Sequence, residues 1–217
     1  MTIRKKETPI IDTDEIFPMI DINTKTDRAY VQIIDNSFPS EVVEEIDEYI
    51  KSHYMFQYGH SGKGKQSGDA LFYVADMYQI NGINYKIQED PIVSFIRESG
   101  FAMFGIRVKE YEREYVNLQT YKHDGGWHTD IGNLGDNEFG DHSPDLYTML
   151  YMPNYNVNGT SGQFELRLPD GEEIKVDYVP GRLLLFRSEL WHRGMSSTQL
   201  GAVRTTLAFK CVRIHLD

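Results

Sequence analysis

Three side chains in the sequence could together hold a metal ion, and two of them lie only two positions apart. His128 and Asp130 fall in segment 127–131, whose composition predicts a strand, so both side chains should point to the same face. An imidazole nitrogen and a carboxylate oxygen side by side are two ligands for a divalent first-row metal. By itself this triplet is weak, because His-x-Asp occurs often by chance and most such pairs only form hydrogen bonds.

A third ligand is available from His192, which follows the strongly apolar segment 182–186. In a β-sandwich, a strand so distant in sequence can lie beside the first one. Two histidines and one carboxylate on one side of a metal leave its other positions open, which is the arrangement of non-haem Fe(II) oxygenases. Taken alone, His192 could equally be a buried histidine that only makes hydrogen bonds.

An arginine near the end of the chain indicates a pocket for an anion. Strand periodicity places Arg204, Thr206 and Ala208 on one face, with Leu207 and Phe209 on the other. An arginine inside a barrel is costly unless an anion pairs with it, and a guanidinium binds a carboxylate through two parallel hydrogen bonds. An inward Arg204 with a hydroxyl two residues on therefore predicts a dicarboxylate or a similar anion. The alternative is an outward Arg204 that pairs with a surface acid.

The elements that would position these residues are mainly strands. One helix is predicted from a cap at Ser40, and a second from Asp90-Pro91 to Gly100. After residue 101, short runs rich in β-branched and aromatic residues alternate with turn signals, which is typical of an all-β sandwich or barrel. The predicted strands are 114–121, 127–131, 146–152, 163–168, 173–178, 182–187 and 203–213.

These elements suggest a single domain with an extension. We expect an N-terminal arm at residues 1–28 and one domain at 29–217, in which a helical support layer (29–105) packs on a β-core (106–217). The glycine- and lysine-rich loop 57–70 and the acidic loop 131–145 are candidate substrate lids.

The composition fits a folded protein with an acidic surface. Of the 217 residues 40% are hydrophobic, which excludes a disordered tail or a fibrous repeat. The 33 acidic residues against 22 basic ones give a net charge of −11, so we expect no nucleic acid partner, whereas a basic peptide or a small molecule is easier to accommodate. The single cysteine and the lack of a long apolar stretch predict a cytoplasmic protein without a membrane partner.

Seven segments in order resemble one family. The sequence is similar to the 2-oxoglutarate and Fe(II)-dependent oxygenases, and within them to the prolyl 4-hydroxylase-like catalytic domain. The segments are Gln119-x-Tyr121, Gly-Gly-Trp-His128-x-Asp130, Thr148-Met-Leu-Tyr151, Gly162-Gln-Phe-Glu-Leu166, Val179-Pro-Gly-Arg-Leu-Leu-Leu-Phe186, Trp-His192-Arg-Gly and Gly201-Ala-Val-Arg204-Thr-Thr206-Leu.

The resemblance implies a fold, a site and a reaction. The fold would be α+β and mainly β: a double-stranded β-helix of the jelly-roll or cupin-like kind, with N-terminal helices packed on one side. The family reaction couples decarboxylation of 2-oxoglutarate, with dioxygen as cosubstrate and ascorbate as a possible addition, to hydroxylation of a C–H bond. By the resemblance, Fe(II) would be held by His128, Asp130 and His192, and 2-oxoglutarate by Arg204 with Thr206 and Tyr121.

Two departures weaken proline as the substrate. Animal-type prolyl 4-hydroxylases commonly use lysine where this chain has Arg204, and their usual Gly-Gly is Ser161-Gly162 here. The leading expectation is hydroxylation of a peptide or protein side chain such as proline, and the first alternative is a small molecule such as a free amino acid. A nucleic-acid demethylase is disfavoured by the charge. A non-enzymatic cupin-like binding barrel is the fourth reading.

Overall fold

The structure is a computed structural model that describes residues 31–60, 72–131, 146–153, 157 and 159–214. The predicted arm at 1–28 and most of the two predicted lid loops (57–70 and 131–145) lie outside the described residues.

Within the described residues the chain forms two α-helices, one short 3-10 helix and twelve strands. The helices are α1 (Ser40–His53) and α2 (Pro91–Met103), and the 3-10 helix spans Ile87–Glu89. The strands are β1 (Val31–Ile34), β2 (Gln57–His60), β3 (Phe72–Ala75), β4 (Met77–Ile80), β5 (Ile83–Lys86), β6 (Arg107–Gln119), β7 (Leu146–Met152), β8 (Gly159–Arg167), β9 (Glu173–Tyr178), β10 (Arg182–Arg187), β11 (Trp191–Gly194) and β12 (Arg204–Ile214).

The strands form two main sheets with antiparallel pairing. The large sheet has the order β1-β10-β7-β12-β6-β3-β2, and the small sheet has the order β11-β8-β9. Strands β4 and β5 form a separate hairpin. Neighbours such as β7 and β12 are distant in sequence, so the large sheet brings together segments from the whole described chain.

The central strands of the large sheet are buried on both faces. On β7, Met149 and Tyr151 belong to a core with the apolar residues of α1 and α2, while Leu150 and Met152 belong to a second core with the residues of the small sheet. The run Leu183–Phe186 of β10 alternates in the same way. Because both faces of these strands are buried, their sequences are continuously apolar and do not alternate between apolar and polar residues. The helices therefore cover one face and the small sheet the other, which agrees with the predicted mainly β, α+β class.

The two helices begin for different reasons. Asp90 caps α2 as predicted, because its Oδ1 accepts hydrogen bonds from the backbone amides of Ile92 (2.7 Å) and Val93 (3.4 Å). For α1 the prediction of a Ser40 cap is wrong: Ser40 is the first helical residue, and Pro39 occupies the cap position without a side-chain bond. No helix of the described part of the chain is long and apolar enough to cross a membrane.

Most predicted strands are confirmed, and the strands that the sequence did not predict are short. Predicted strands 146–152, 173–178 and 182–187 have the bounds of β7, β9 and β10. Segment 127–131 is not a full strand: His128 forms an isolated bridge with His192, and the backbone amide of Asp130 donates to the carbonyl of Ser188 at 2.8 Å. The N-terminal half contributes strands β1 to β5 besides its helices, and these four-residue strands are too short to give a clear alternating pattern.

Candidate metal and anion site

The space between the two sheets brings the three candidate metal ligands together. One ligand atom from each of His128, Asp130 and His192 lies within 4.8 Å of the other two. The Nε2 atom of His128 is 3.8 Å from Oδ1 of Asp130, and the Nε2 atom of His192 is 3.4 Å from Oδ2. Segment 127–131 does place His128 and Asp130 on the same side, as two residues at i and i+2 in an extended segment should be.

Both imidazoles are oriented by backbone carbonyl groups. Nδ1 of His128 is 2.9 Å from the carbonyl oxygen of Gly126, and Nδ1 of His192 is 2.8 Å from that of Leu190. A carbonyl oxygen only accepts, so each Nδ1 carries the proton and donates it. Nε2 of each ring then faces Asp130, and outer hydrogen bonds of this kind orient a ligating histidine.

The charge states also suit a metal site. Burial, and then the proximity of His192, lowers the pKa of His128 to about 4, so this imidazole is neutral near pH 7. Burial alone would raise the pKa of the Asp130 carboxyl, but His192, Lys210 and His128 together hold it below its usual range. Neutral imidazole and ionised carboxylate are the protonation states that bind metals.

Two further side chains hold Asp130 in place. The hydroxyl of Thr148 on β7 donates to Oδ2 of Asp130 at 2.8 Å. The ammonium nitrogen of Lys210 on β12 lies 2.6 Å from Oδ1. The carboxylate of this 2% exposed residue is thus fixed from both oxygens.

A small cavity opens beside the triad and reaches Arg204. Besides the triad, the lining residues are Phe72, Tyr115, Asn117, Gln119, Gly125, Leu150, Phe164, Gly194, Arg204 and Thr206.

Arg204 faces this cavity as a buried cation, and no carboxylate of the described residues pairs with it. It is 1% exposed, and burial lowers its pKa only to about 10, so it is charged at neutral pH. Its Nε donates to the carbonyl oxygen of Gly162 at 2.8 Å, and Nη1 donates to Oε1 of Gln119 at 2.6 Å and to the hydroxyl of Thr206 at 3.3 Å. Its Nη2 is buried and has no hydrogen-bond partner among the residues that the structure describes. A buried cation with an unused donor calls for an anion in the cavity.

Two glycines make room for this arginine. A Cβ atom on Gly194 would lie 2.9 Å from Oε1 of Gln119 and 3.0 Å from Nη1 of Arg204. A Cβ atom on Gly162 would lie 3.2 Å from Cδ of Arg204, and the φ of +75° at Gly162 also favours glycine. Any larger residue at these positions would have to displace the guanidinium or its neighbours.

Tyr121, which the resemblance placed beside the anion, does not line the cavity. Strand β6 ends at Gln119 and the chain turns at once, with a φ of 64° at Lys122. The side chain of Tyr121 is 37% exposed, and its ring contacts the ammonium group of Lys122. The inward alternation of β6 therefore ends two residues earlier, at Gln119, which pairs directly with Arg204 in the sheet.

The sequence contained signals for four site residues that were not predicted. Steps of two along β6 lead from Gln119 back to Asn117, and steps of two along β12 lead from Arg204 to Lys210. Thr148 alternates in the same way with Leu150, which faces the small sheet. Extending each predicted face to the full length of its strand would have found them.

No protein-family model matches the sequence, and no curated protein matches it. Solved structures do match. An oxidoreductase of the 2OG-Fe(II) oxygenase family from Burkholderia pseudomallei has 14% identity and a TM-score of 0.59, with 87% of this chain and 88% of that chain covered. A Pseudomonas putida prolyl-4-hydroxylase has 15% identity and a TM-score of 0.52, with 86% and 95% covered.

A third match is a prolyl hydroxylase from Trichoplax adhaerens, solved in complex with a peptide fragment of the hypoxia inducible factor oxygen degradation domain. It has 15% identity and a TM-score of 0.58, with 86% of this chain and 84% of that chain covered. At such identities the likeness shows the fold. The chain has the fold of the 2-oxoglutarate and Fe(II)-dependent oxygenases, which confirms the predicted jelly-roll architecture.

Proposed function

We propose that this protein is an Fe(II)- and 2-oxoglutarate-dependent dioxygenase that hydroxylates a C–H bond. The observation that carries the proposal is the position of Arg204, a buried cation with an unused donor in the same cavity as a His-Asp-His triad. A metal site alone has no need of such a cation, because a buried guanidinium lowers stability unless an anion pairs with it. A dicarboxylate that binds the metal at one end and Arg204 at the other fits both features.

The donor set suits Fe(II). Two imidazole nitrogens and one carboxylate on one side of an ion form the facial triad of non-haem iron oxygenases, with the remaining positions open. His128, Asp130 and His192 would hold the ion. Bound Fe(II) would activate dioxygen, the oxidant, so that one of its oxygen atoms enters succinate as 2-oxoglutarate loses CO2 and the other enters the C–H bond. The residues of the chain fix the ligand geometry and keep the His128 imidazole neutral.

The anion anchor suits the carboxylate of 2-oxoglutarate that lies far from the metal. Nη2 of Arg204 has no acceptor among the described residues, whereas Nη1 already donates to Gln119 and Thr206, so Nη2 is the group that would donate to the carboxylate. Thr206 also lines the cavity, and its hydroxyl lies 3.3 Å from Nη1 of Arg204. Phe72, Leu150 and Phe164 line the cavity and limit the access of water to this ion pair.

For the substrate we propose a peptide or protein side chain, with proline as the leading candidate. The support is that two proteins of the same fold are prolyl hydroxylases, one of them solved with a peptide. The net charge of −11 favours a basic target and disfavours nucleic acid. A small molecule such as a free amino acid is the alternative, and mass spectrometry for the gain of one oxygen atom would separate the two in a screen of both substrate types.

The first experiment is an anaerobic titration of the metal-free protein with Fe(II) and 2-oxoglutarate. A keto acid that chelates Fe(II) produces a visible charge-transfer band, and we expect this band only when both are added. His128→Ala should abolish the band, whereas the exposed Gln32→Glu variant on β1 should keep it. A wild-type protein that gives no band under clean anaerobic conditions would favour the non-enzymatic binding barrel.

A further inference from the structure

The amide of Gln119 is held in one orientation by its surroundings. Its Nε2 donates to the carbonyl oxygens of His123 at 3.0 Å and Gly194 at 2.9 Å. Both of these oxygens only accept, so the amide nitrogen must face them and Oε1 must point the other way. There it accepts the 2.6 Å hydrogen bond from Nη1 of Arg204. At 2% exposure, Gln119 has little freedom to turn.

The partners of Arg204 within the protein are all uncharged. Nε uses the carbonyl of Gly162, and Nη1 uses the amide of Gln119 and the hydroxyl of Thr206. The side chain is therefore aligned by strong hydrogen bonds while its positive charge stays uncompensated. No carboxylate of the described residues takes the position opposite Nη2. Because the acceptor at position 119 is neutral, Arg204 is aligned by a hydrogen bond and still keeps its uncompensated positive charge.

The sheet fixes this arrangement at backbone level. Gln119 is the last residue of β6 and lies directly opposite Arg204, the first residue of β12. The same Gly194 carbonyl that accepts from Gln119 also accepts from the backbone amide of Gly125, at 2.8 Å. Gln119 thus connects the anion anchor to β11, which carries His192, and to the turn at His123 that precedes segment 127–131.

We propose that Gln119 is a positioning residue that holds Arg204 ready for an anion without neutralising it. The inference rests on the proposed function, since it assigns the anion to 2-oxoglutarate. The essential property is that Gln119 is an uncharged acceptor. A carboxylate at this position would give Arg204 a permanent partner inside the protein and would compete with the cosubstrate for the guanidinium.

Two substitutions separate the charge at position 119 from its hydrogen bonds. Gln119→Glu and Gln119→Met both remove the two bonds from Nε2. Gln119→Met also removes the acceptor for Nη1 of Arg204, whereas Gln119→Glu keeps that acceptor and sets a carboxylate oxygen against the carbonyls of His123 and Gly194. Only Gln119→Glu adds a negative charge beside Arg204. We expect Gln119→Met to weaken 2-oxoglutarate binding roughly tenfold, which is the effect of losing one hydrogen bond to a charged group. We expect Gln119→Glu to weaken binding by at least a further factor of about ten, because a buried ion pair must be broken first.

The measurement is calorimetric titration of 2-oxoglutarate into the Mn(II)-loaded proteins, with Mn(II) affinity measured separately. Gln32→Glu, an exposed change of the same chemical kind, is the matched control and should bind as the wild type does. Mn(II) affinity should stay within about twofold in every variant, since Gln119 contacts none of the three metal ligands through its side chain.

The outcomes distinguish the inference from the proposed function. Equal affinities in the Glu and Met variants would overturn the charge argument, and wild-type affinity in both would overturn the positioning role, while 2-oxoglutarate binding by the wild type would still support the oxygenase. If the wild-type protein binds Mn(II) but not 2-oxoglutarate, the proposed function itself fails. If Gln119→Glu does not fold, the Met variant alone decides on the positioning role.

Discussion

His128 and His192 face each other across an antiparallel bridge in which each backbone amide donates to the carbonyl of the other, at 3.0 and 2.8 Å. Their rings lie 4.3 Å apart between centroids. The separation of two candidate metal ligands is therefore set by backbone hydrogen bonds between segment 127–131 and strand β11. A site built on paired backbone keeps its geometry better than one built on a free loop.

The low pKa of His128 predicts how the stability of the metal-free protein depends on pH. Burial, and then His192, lowers this pKa to about 4, whereas an unfolded histidine titrates near 6.5. Between these values the unfolded chain binds a proton that the folded chain does not. The contribution of His128 should thus be fully present above about pH 6.5 and be lost as the pH falls toward 4, by up to about 3 kcal/mol.

Urea unfolding of the metal-free wild type and of His128→Gln at several pH values from 7 to 4.5 would measure this effect. We expect the free energy of unfolding to fall more steeply with decreasing pH in the wild type than in the variant. Parallel curves for the two proteins would contradict the assignment of a neutral, buried His128.

Replacing Arg204 should separate binding from stability. Arg204→Met removes the charge but keeps much of the volume, so we expect the affinity for 2-oxoglutarate to fall at least about a hundredfold, as for the loss of paired charged hydrogen bonds. The same change should leave the stability of the ligand-free protein equal or higher, because a buried cation without an anion is unfavourable. Thermal unfolding together with calorimetric titration tests both expectations. A less stable protein with unchanged affinity would mean that Arg204 is a structural residue.

The close contact of Gly194 with Gln119 and Arg204 predicts that a substitution at Gly194 also weakens 2-oxoglutarate binding. In Gly194→Ala the new methyl group would lie 2.9 Å from Oε1 of Gln119 and 3.0 Å from Nη1 of Arg204, so one of them must move. We expect a loss of roughly 1–3 kcal/mol in stability, as for other overpacked sites, and weaker 2-oxoglutarate binding. Leu200→Ala, at a side chain that is 82% exposed, is the control and should change neither. Binding at the wild-type level in Gly194→Ala would show that the position of the guanidinium is not critical.

Lys210 is expected to set the metal affinity through Asp130. Its ammonium nitrogen lies 2.6 Å from Oδ1 of the carboxylate, where it competes with a divalent cation for the same negative charge. Lys210→Met should therefore bind Mn(II) or Zn(II) more tightly, by roughly an order of magnitude. Equilibrium dialysis against a competing chelator measures this change. Weaker binding in the variant would instead mean that Lys210 mainly holds the carboxylate in place.

The site residues whose side-chain direction could be predicted from the sequence are those whose direction follows from local periodicity. The His-x-Asp segment and the inward face of β12 both depend on a period of two, which is a property of a single strand.

What could not be predicted depends on where strands end and which strands become neighbours. Tyr121 was expected at the anion site, but β6 stops at Gln119, and one turn moves the next inward position out of the cavity. The ion pair between Lys210 and Asp130 joins β12 to a segment that is distant in the sequence, so no local sequence pattern predicts this ion pair. Contacts of this kind are set by tertiary packing.

The central claim is that one cavity holds a metal on the triad and a carboxylate on Arg204. A crystal structure with Mn(II) and N-oxalylglycine, an unreactive isostere of 2-oxoglutarate, tests this claim most directly. We expect Mn(II) bound by Nε2 of both His128 and His192 and by the Asp130 carboxylate, with the far carboxylate of the isostere on Nη2 of Arg204. Mn(II) bound elsewhere, or an isostere whose carboxylate avoids Arg204, would contradict it.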